Sequence, residues 1–203
     1  MTQTDEQYSQ TREDRLFVAL EIPEDIKGSL NNLQPCFPGL RWTPAHNLHL
    51  TLRFIGLTPH TSVAPIQQAL RRVKSGSFHL MIAGLGVFQR KSGGILWAGV
   101  SAEPALRQLK QRVDEALRAS TVLNLKEEPF TPHLTLSRLK QRPSPAFTTQ
   151  VQAKASVRFG EFPVTDFTLF RSFLRPSGAI HESLERYPLS LMATEGVHFL
   201  PSR

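Results

Sequence analysis

The 203-residue chain has a single cysteine, Cys36. That excludes a disulfide framework and a thiolate metal cage, and it suits a reducing compartment. No apolar run approaches the roughly 20 residues that a bilayer-spanning helix requires. The first fourteen residues are polar and mixed in charge, unlike a secretory signal. A soluble, cytoplasmic protein with no membrane partner is therefore expected. There is no G-x-S-x-G, and Ser75 and Ser92 lie among turn-forming residues, so a serine nucleophile is not expected. Gly84-x-Gly86 sits inside a strand pattern with no helix after it, which excludes a phosphate-binding loop. Acidic residues are comparatively few, 17 against 24 Lys and Arg, for a net charge of +7. Such an excess suits an anionic partner: nucleic acid, nucleotide or phosphate. Hydrophobic content of 40% and charged content of 20% are otherwise those of an ordinary globular domain.

What the chain does contain, twice, is one tetrapeptide: His49-Leu50-Thr51-Leu52 and His133-Leu134-Thr135-Leu136. Composition alone predicts about 0.01 copies of it, so two by accident is a poor explanation. Each copy lies in an alternating, β-prone run, Leu48 to Phe54 and Phe130 to Leu136. Successive strand side chains point to opposite faces. His49 and Thr51 thus share one face, Leu50 and Leu52 take the other, and His133 and Thr135 repeat the arrangement. Two imidazoles can supply one general base and one general acid, and two hydroxyls can hold the oxygens of an anion between them.

The surrounding pattern alternates strands and helices. Leu16 to Leu20 reads as a buried strand, and Ile26, Leu30 and Leu33 as the apolar stripe of a helix after Pro23. Val63, Ile66, Leu70 and Val73 mark a second helix, capped by Thr61 or Ser62 and ended by Gly76. Phe78 to Phe88 and Ile95 to Val100 form a hairpin turned at Lys91-Ser92-Gly93-Gly94. Leu106, Leu109, Val113 and Leu117 define a helix from Pro104, and a weak helix spans Phe147 to Ala155. Phe162 to Phe173 and Ile180 to Leu191 read as a last hairpin turned by Pro176-Ser177-Gly178.

A repeat emerges from this order. His49 precedes Phe78 by 29 residues and His133 precedes Phe162 by the same 29. Each half reads strand, helix, histidine strand, helix, strand. The expected fold is α+β: two pseudo-symmetric lobes, each a mainly antiparallel sheet with outer helices, around a central cleft. Residues 1–14 form a polar leader, and residues 15–203 one bilobal domain.

The sequence resembles the two-histidine (2H) phosphoesterases, in particular the bacterial and archaeal RNA 2′,3′-cyclic phosphodiesterases, also called 2′-5′ RNA ligases. The likeness runs from Arg15-Leu16-Phe17-Val18-Ala19 through Trp42-Thr43-Pro44, the first tetrapeptide and Phe54-Ile55-Gly56. It continues through Gly84-Leu85-Gly86-Val87-Phe88, Leu96-Trp97-Ala98-Gly99-Val100 and the second tetrapeptide to Arg138, Phe170-Arg171-Ser172 and Tyr187-Pro188-Leu189. The resemblance implies metal-independent hydrolysis of 2′,3′-cyclic phosphate ends of RNA or nucleotides, with no cofactor. By the same resemblance His49 protonates the departing 3′ oxygen and His133 activates water, leaving a 2′-phosphate. Thr51 and Thr135 hold phosphate oxygens, Arg138 adds a cation and Phe54 stacks on a base. A monomer is expected. The chain departs from the family in carrying His181 where an aromatic Tyr is frequent.

Alternation is at odds with part of this. Phe54 and Arg138 each lie five positions after their histidine, which nominally turns them to the opposite face. A bulge or a strand end would reverse that. Arg53, which alternation places beside Thr51, is the competing phosphate contact. His46 and His49 form an H-x-x-H, but Pro44 and Asn47 argue against the helix that a metal pair would need. His79 and His198 read as structural. RNA binding without turnover and ligation, which joins a 2′,3′-cyclic phosphate end to a 5′-hydroxyl end, are the rival functions. Paired acid and base groups argue against the former, and ligation would use the identical site.

Overall fold

In a computed structural model, residues 12–101, 103–120, 125–127, 129–176 and 178–190 are described. Eight strands form one sheet: β1 (Glu13–Glu21), β2 (His49–Pro59), β3 (Phe78–Arg90), β4 (Gly93–Val100), β5 (His133–Leu139), β6 (Arg158–Val164), β7 (Asp166–Arg175) and β8 (Gly178–Pro188). Four α-helices accompany them: α1 (Glu24–Asn31), α2 (Val63–Leu70), α3 (Pro104–Ala119) and α4 (Pro145–Gln152). The strand order is β6-β3-β4-β5-β2-β1-β7-β8, and neighbouring strands pair antiparallel. The α+β expectation holds.

Each half of this order is four strands, and the histidine strands β2 and β5 meet at the centre. Their register pairs Leu50 with Leu134, both fully buried. The halves are not, however, the two halves of the chain. β3, which follows the first histidine strand, pairs with β4 and β6 beside the second. β7 returns to pair with β1 beside the first. The helices are exchanged too, α1 packing on β6 and α3 on β2. The repeat visible in the sequence is therefore real as an order of elements, while its third strand swaps sides.

The swap corrects one expected element. Phe162 to Phe173 is two strands, β6 and β7, divided at Thr165. Its apolar residues continue on both sides of Thr165, which Pro163 and Asp166 closely flank. The division arises because β6 pairs Val164 with Phe78, whereas β7 pairs Phe170 with Phe17 in the other half. A one-residue link between strands so far apart in the order requires the sheet to curl. Leu189 N donating to the Thr165 carbonyl at 2.8 Å ties that crossing to the end of β8.

The leader expected over residues 1–14 lies almost wholly outside the described residues, but Glu13 and Asp14 already belong to β1. The last hairpin's Ser177 and Leu191, and His198, are also outside them. Ser62 precedes α2 without a side-chain capping bond, because a 3₁₀ turn at His60–Ser62 leads into the helix instead. α3 buries Leu106, Leu109, Val113 and Leu117 completely, as its 3-4 spacing requires. Among the described residues, no helix is long and apolar enough to cross a membrane.

Candidate active site

The first histidine strand opens with alternation intact: His49 and Thr51 are half-buried, Leu50 and Leu52 buried. β1 then changes register, pairing Ala19 with Thr51 but Val18 with Arg53, so that Leu52 is an extra residue. β5 does the same against β4, pairing Trp97 with Thr135 but Leu96 with Ser137, so that Leu136 is extra. A bulge of this kind inverts every later side chain. Phe54 and Arg138 therefore come out exposed on the histidine face, opposite Phe17 and Ile95 in register. The likeness of the two halves extends to this irregularity.

The same bulge removes Arg53 from the site. Its side chain is 3% exposed, donates to the Lys126 carbonyl and lies 3.7 Å from Asp114 of α3. Arg53 is part of the buried packing behind the sheet, and the alternative of a phosphate contact there is overturned. Its counterpart in β5 is Ser137, fully buried, whose hydroxyl donates to the Arg41 carbonyl at 2.9 Å.

Both imidazoles are oriented identically. His49 Nδ1 lies 2.7 Å from the Asn47 carbonyl, and His133 Nδ1 lies 2.7 Å from the Thr131 carbonyl. A carbonyl only accepts, so each Nδ1 carries a hydrogen and each Nε2 is left for chemistry. Aromatic rings back both: Phe17 lies 4.8 Å from His49, and Phe88 stands edge-on 4.9 Å from His133. Phe17 in turn stacks on Phe170 at 5.1 Å. Phe88 rests on Trp97, which fits only because residue 86 is glycine: a Cβ there would meet the indole at 2.1 Å. Gly86 thus serves packing within β3.

The antiparallel pairing at Leu50 and Leu134 sets the two His-x-Thr runs in opposite directions. Continuing that register places His49 across from Thr135 and Thr51 across from His133. Burial pushes the His49 pKa down to about 4, against the raising effect of its bond to the Asn47 carbonyl. His181, His133 and Arg138 lower it further. These three basic side chains therefore stand close to His49, and that ring is neutral in the free protein at neutral pH. His46 sits exposed in the 3₁₀ turn Ala45–Asn47, not on a helix. Among the described residues no three His, Cys, Asp or Glu side chains gather as a metal set.

Phe17, Phe88 and Asn47 were not singled out in the sequence. Phe17 hides in the run Leu16 to Leu20, buried on both faces, where alternation carries no information. His181 was visible only as a departure from the family pattern, and it lies 5.2 Å from His49, ring to ring.

The family model described as the 2′-5′ RNA ligase superfamily matches residues 22–172, which include both histidine strands. The chain is 32% identical to the RNA 2′,3′-cyclic phosphodiesterase of Archaeoglobus fulgidus, over 84% of this chain and 97% of that protein. It is 34% identical to the protein of the same name from Thermus thermophilus, over 86% and 90% of the two chains. Among solved structures, E. coli LigT complexed with 3′-AMP superposes with a TM-score of 0.74 at 25% identity, covering 88% of this chain and 99% of that one. TT0787 of Thermus thermophilus gives 0.69 at 32% identity, covering 88% and 100%. With paired His-x-Thr strands at the centre of a shared fold, this chain belongs to the 2′-5′ RNA ligase superfamily.

Proposed function

We propose that the protein is an RNA 2′,3′-cyclic phosphodiesterase that opens cyclic phosphate ends to 2′-phosphates without a metal. The observation that carries this reading is the paired orientation of the imidazoles. Two Nδ1–H groups are tied back to carbonyls, and two Nε2 atoms remain for proton transfer on one face of the sheet. The names of its relatives give the same substrate class. Residues 15–203 work as one bilobal domain, a cytoplasmic monomer acting on RNA or nucleotide ends.

In the proposed reaction a water oxygen attacks phosphorus in line with the 3′ oxygen. His133 Nε2 takes the water's proton, the P–O3′ bond breaks, and His49 Nε2 supplies the proton that makes the 3′-hydroxyl. Thr51 and Thr135 hold the non-bridging oxygens, and Arg138 offsets their charge. Phe54, 59% exposed beside Phe17, offers a face for a base. Since His49 is neutral in the free protein, it must take up its proton from solvent as the substrate binds. A phosphate anion against Nε2 favours the imidazolium and reverses the effect of burial.

Two results follow. The pH profile of kcat/KM reports the free enzyme, so its lower limb should fall near pH 4, where His49 titrates. The kcat profile, measured on the bound complex, should have its lower limb at higher pH. Coincident limbs would show that substrate leaves His49 unchanged. The second result is the product. Purified protein should convert an oligonucleotide 2′,3′-cyclic phosphate to an end resistant to a 3′-specific phosphomonoesterase, and release of most of the phosphate would reverse the two histidine roles. Including a 5′-hydroxyl oligonucleotide in the same assay tests ligation, in which that hydroxyl attacks in place of water and for which the superfamily is named.

A further inference from the structure

One ionisable group in contact with His49 has no part in the reaction above. His181 of β8 stands edge-on to His49, ring centroids 5.2 Å apart at 88°, and edge-on to Phe17 at 4.9 Å. A single residue ties His49 to the start of β8. Asn47 accepts the His49 Nδ1–H at its carbonyl, and its side-chain amide donates to the Ala179 carbonyl at 2.7 Å, two positions before His181. The His181 Nδ1 is buried without a hydrogen-bond partner. A buried polar atom left unpaired is destabilising and calls for a reason. Neither Phe17 beside it nor Ser172 across from it in register supplies one.

We propose that His181 is a positioning residue for His49, closing the outer side of that ring and competing with it for a proton. The inference rests on His49 being one of the two reacting groups. Two imidazoles in ring contact titrate as a pair, since charging one disfavours charging the other. The groups facing this pair are all basic: His46 from the 3₁₀ turn toward His181, and His133 and Arg138 from β5 toward His49. β1 and β7 contribute the uncharged Phe17 and Phe170. Desolvation first, and then His46, lower the His181 pKa as well. With no carboxylate among these neighbours, the site resists protons when empty. A bound phosphate anion is what relieves that resistance, so protonation and substrate capture are coupled.

Two variants separate ionisation from packing. His181→Phe keeps a ring against His49 and Phe17 but cannot take a proton, and His181→Gln keeps a polar group that cannot ionise. The readouts are the His49 ring titration by NMR in the free protein and the lower limb of kcat/KM. In both variants the His49 midpoint should rise by about half a pH unit or more, as expected on removing a unit charge some 5 Å away in a largely aqueous dielectric. The kinetic limb should rise with it. An unmoved His49 midpoint in both folded variants overturns the inference. A midpoint that rises while the limb stays supports the coupling of the two rings and overturns His49 as a reacting group.

Discussion

His49→Ala and His133→Ala should each lower kcat/KM by roughly 10²–10⁴-fold, the usual size of general acid–base catalysis. The two halves are built alike, each imidazole held by the carbonyl two residues before it and backed by phenylalanine. Each imidazole moves one proton of the same displacement, so removing either leaves the other without a complementary step. The double variant should therefore be far less impaired than the product of the single effects, as for residues that act as a unit. Near-normal turnover in either single variant would rule out the paired mechanism. The variants should stay folded, because both rings lie at the sheet face and their removal leaves the buried Leu50 and Leu134 junction untouched.

The second large effect concerns stability. Asp114 of α3 is 3% exposed and faces Arg53 at 3.7 Å, with Lys110 bonded to its other oxygen and Arg118 at 3.8 Å. Breaking a buried ion pair by removing one partner leaves an uncompensated charge and costs about 3–5 kcal/mol. Asp114→Ala should lose about that much in urea unfolding, a large part of the ~5–15 kcal/mol that holds a domain together. Arg53→Met replaces the charge with an apolar chain of similar length and takes one of three cations from Asp114. It should also destabilise, while the folded fraction keeps its turnover. An Arg53→Met protein of unchanged stability that had lost phosphodiesterase activity would return Arg53 to the phosphate site.

These two experiments address what separates neighbouring residues on one strand. His49 and Arg53 are four apart, and simple alternation puts both on the same face. The extra residue at Leu52 sends one to the sheet face and the other into the core.

The candidate site was legible in the amino-acid sequence because its signal is local. A tetrapeptide occurring twice, each time in an alternating strand, determined which imidazoles and hydroxyls share a face. The matched 29-residue spacings determined the order of elements around them. Tertiary structure alone decided the rest. The exchange of β3 and β7 between the halves depends on pairings of Phe78 with Val164 and Phe17 with Phe170, contacts far apart along the chain that leave no mark on local pattern. The bulges at Leu52 and Leu136 arise where the histidine strands meet β1 and β4, so the exposure of Phe54 and Arg138 is a property of the assembled sheet. The meeting of His181 with His49 joins strands far apart along the chain, and the low pKa of His49 comes first from burial that exists only once the sheet has curled. Period-2 alternation reports which face a side chain takes within a strand. Which strand lies beside it, and where the register slips, is settled by packing the whole sheet at once.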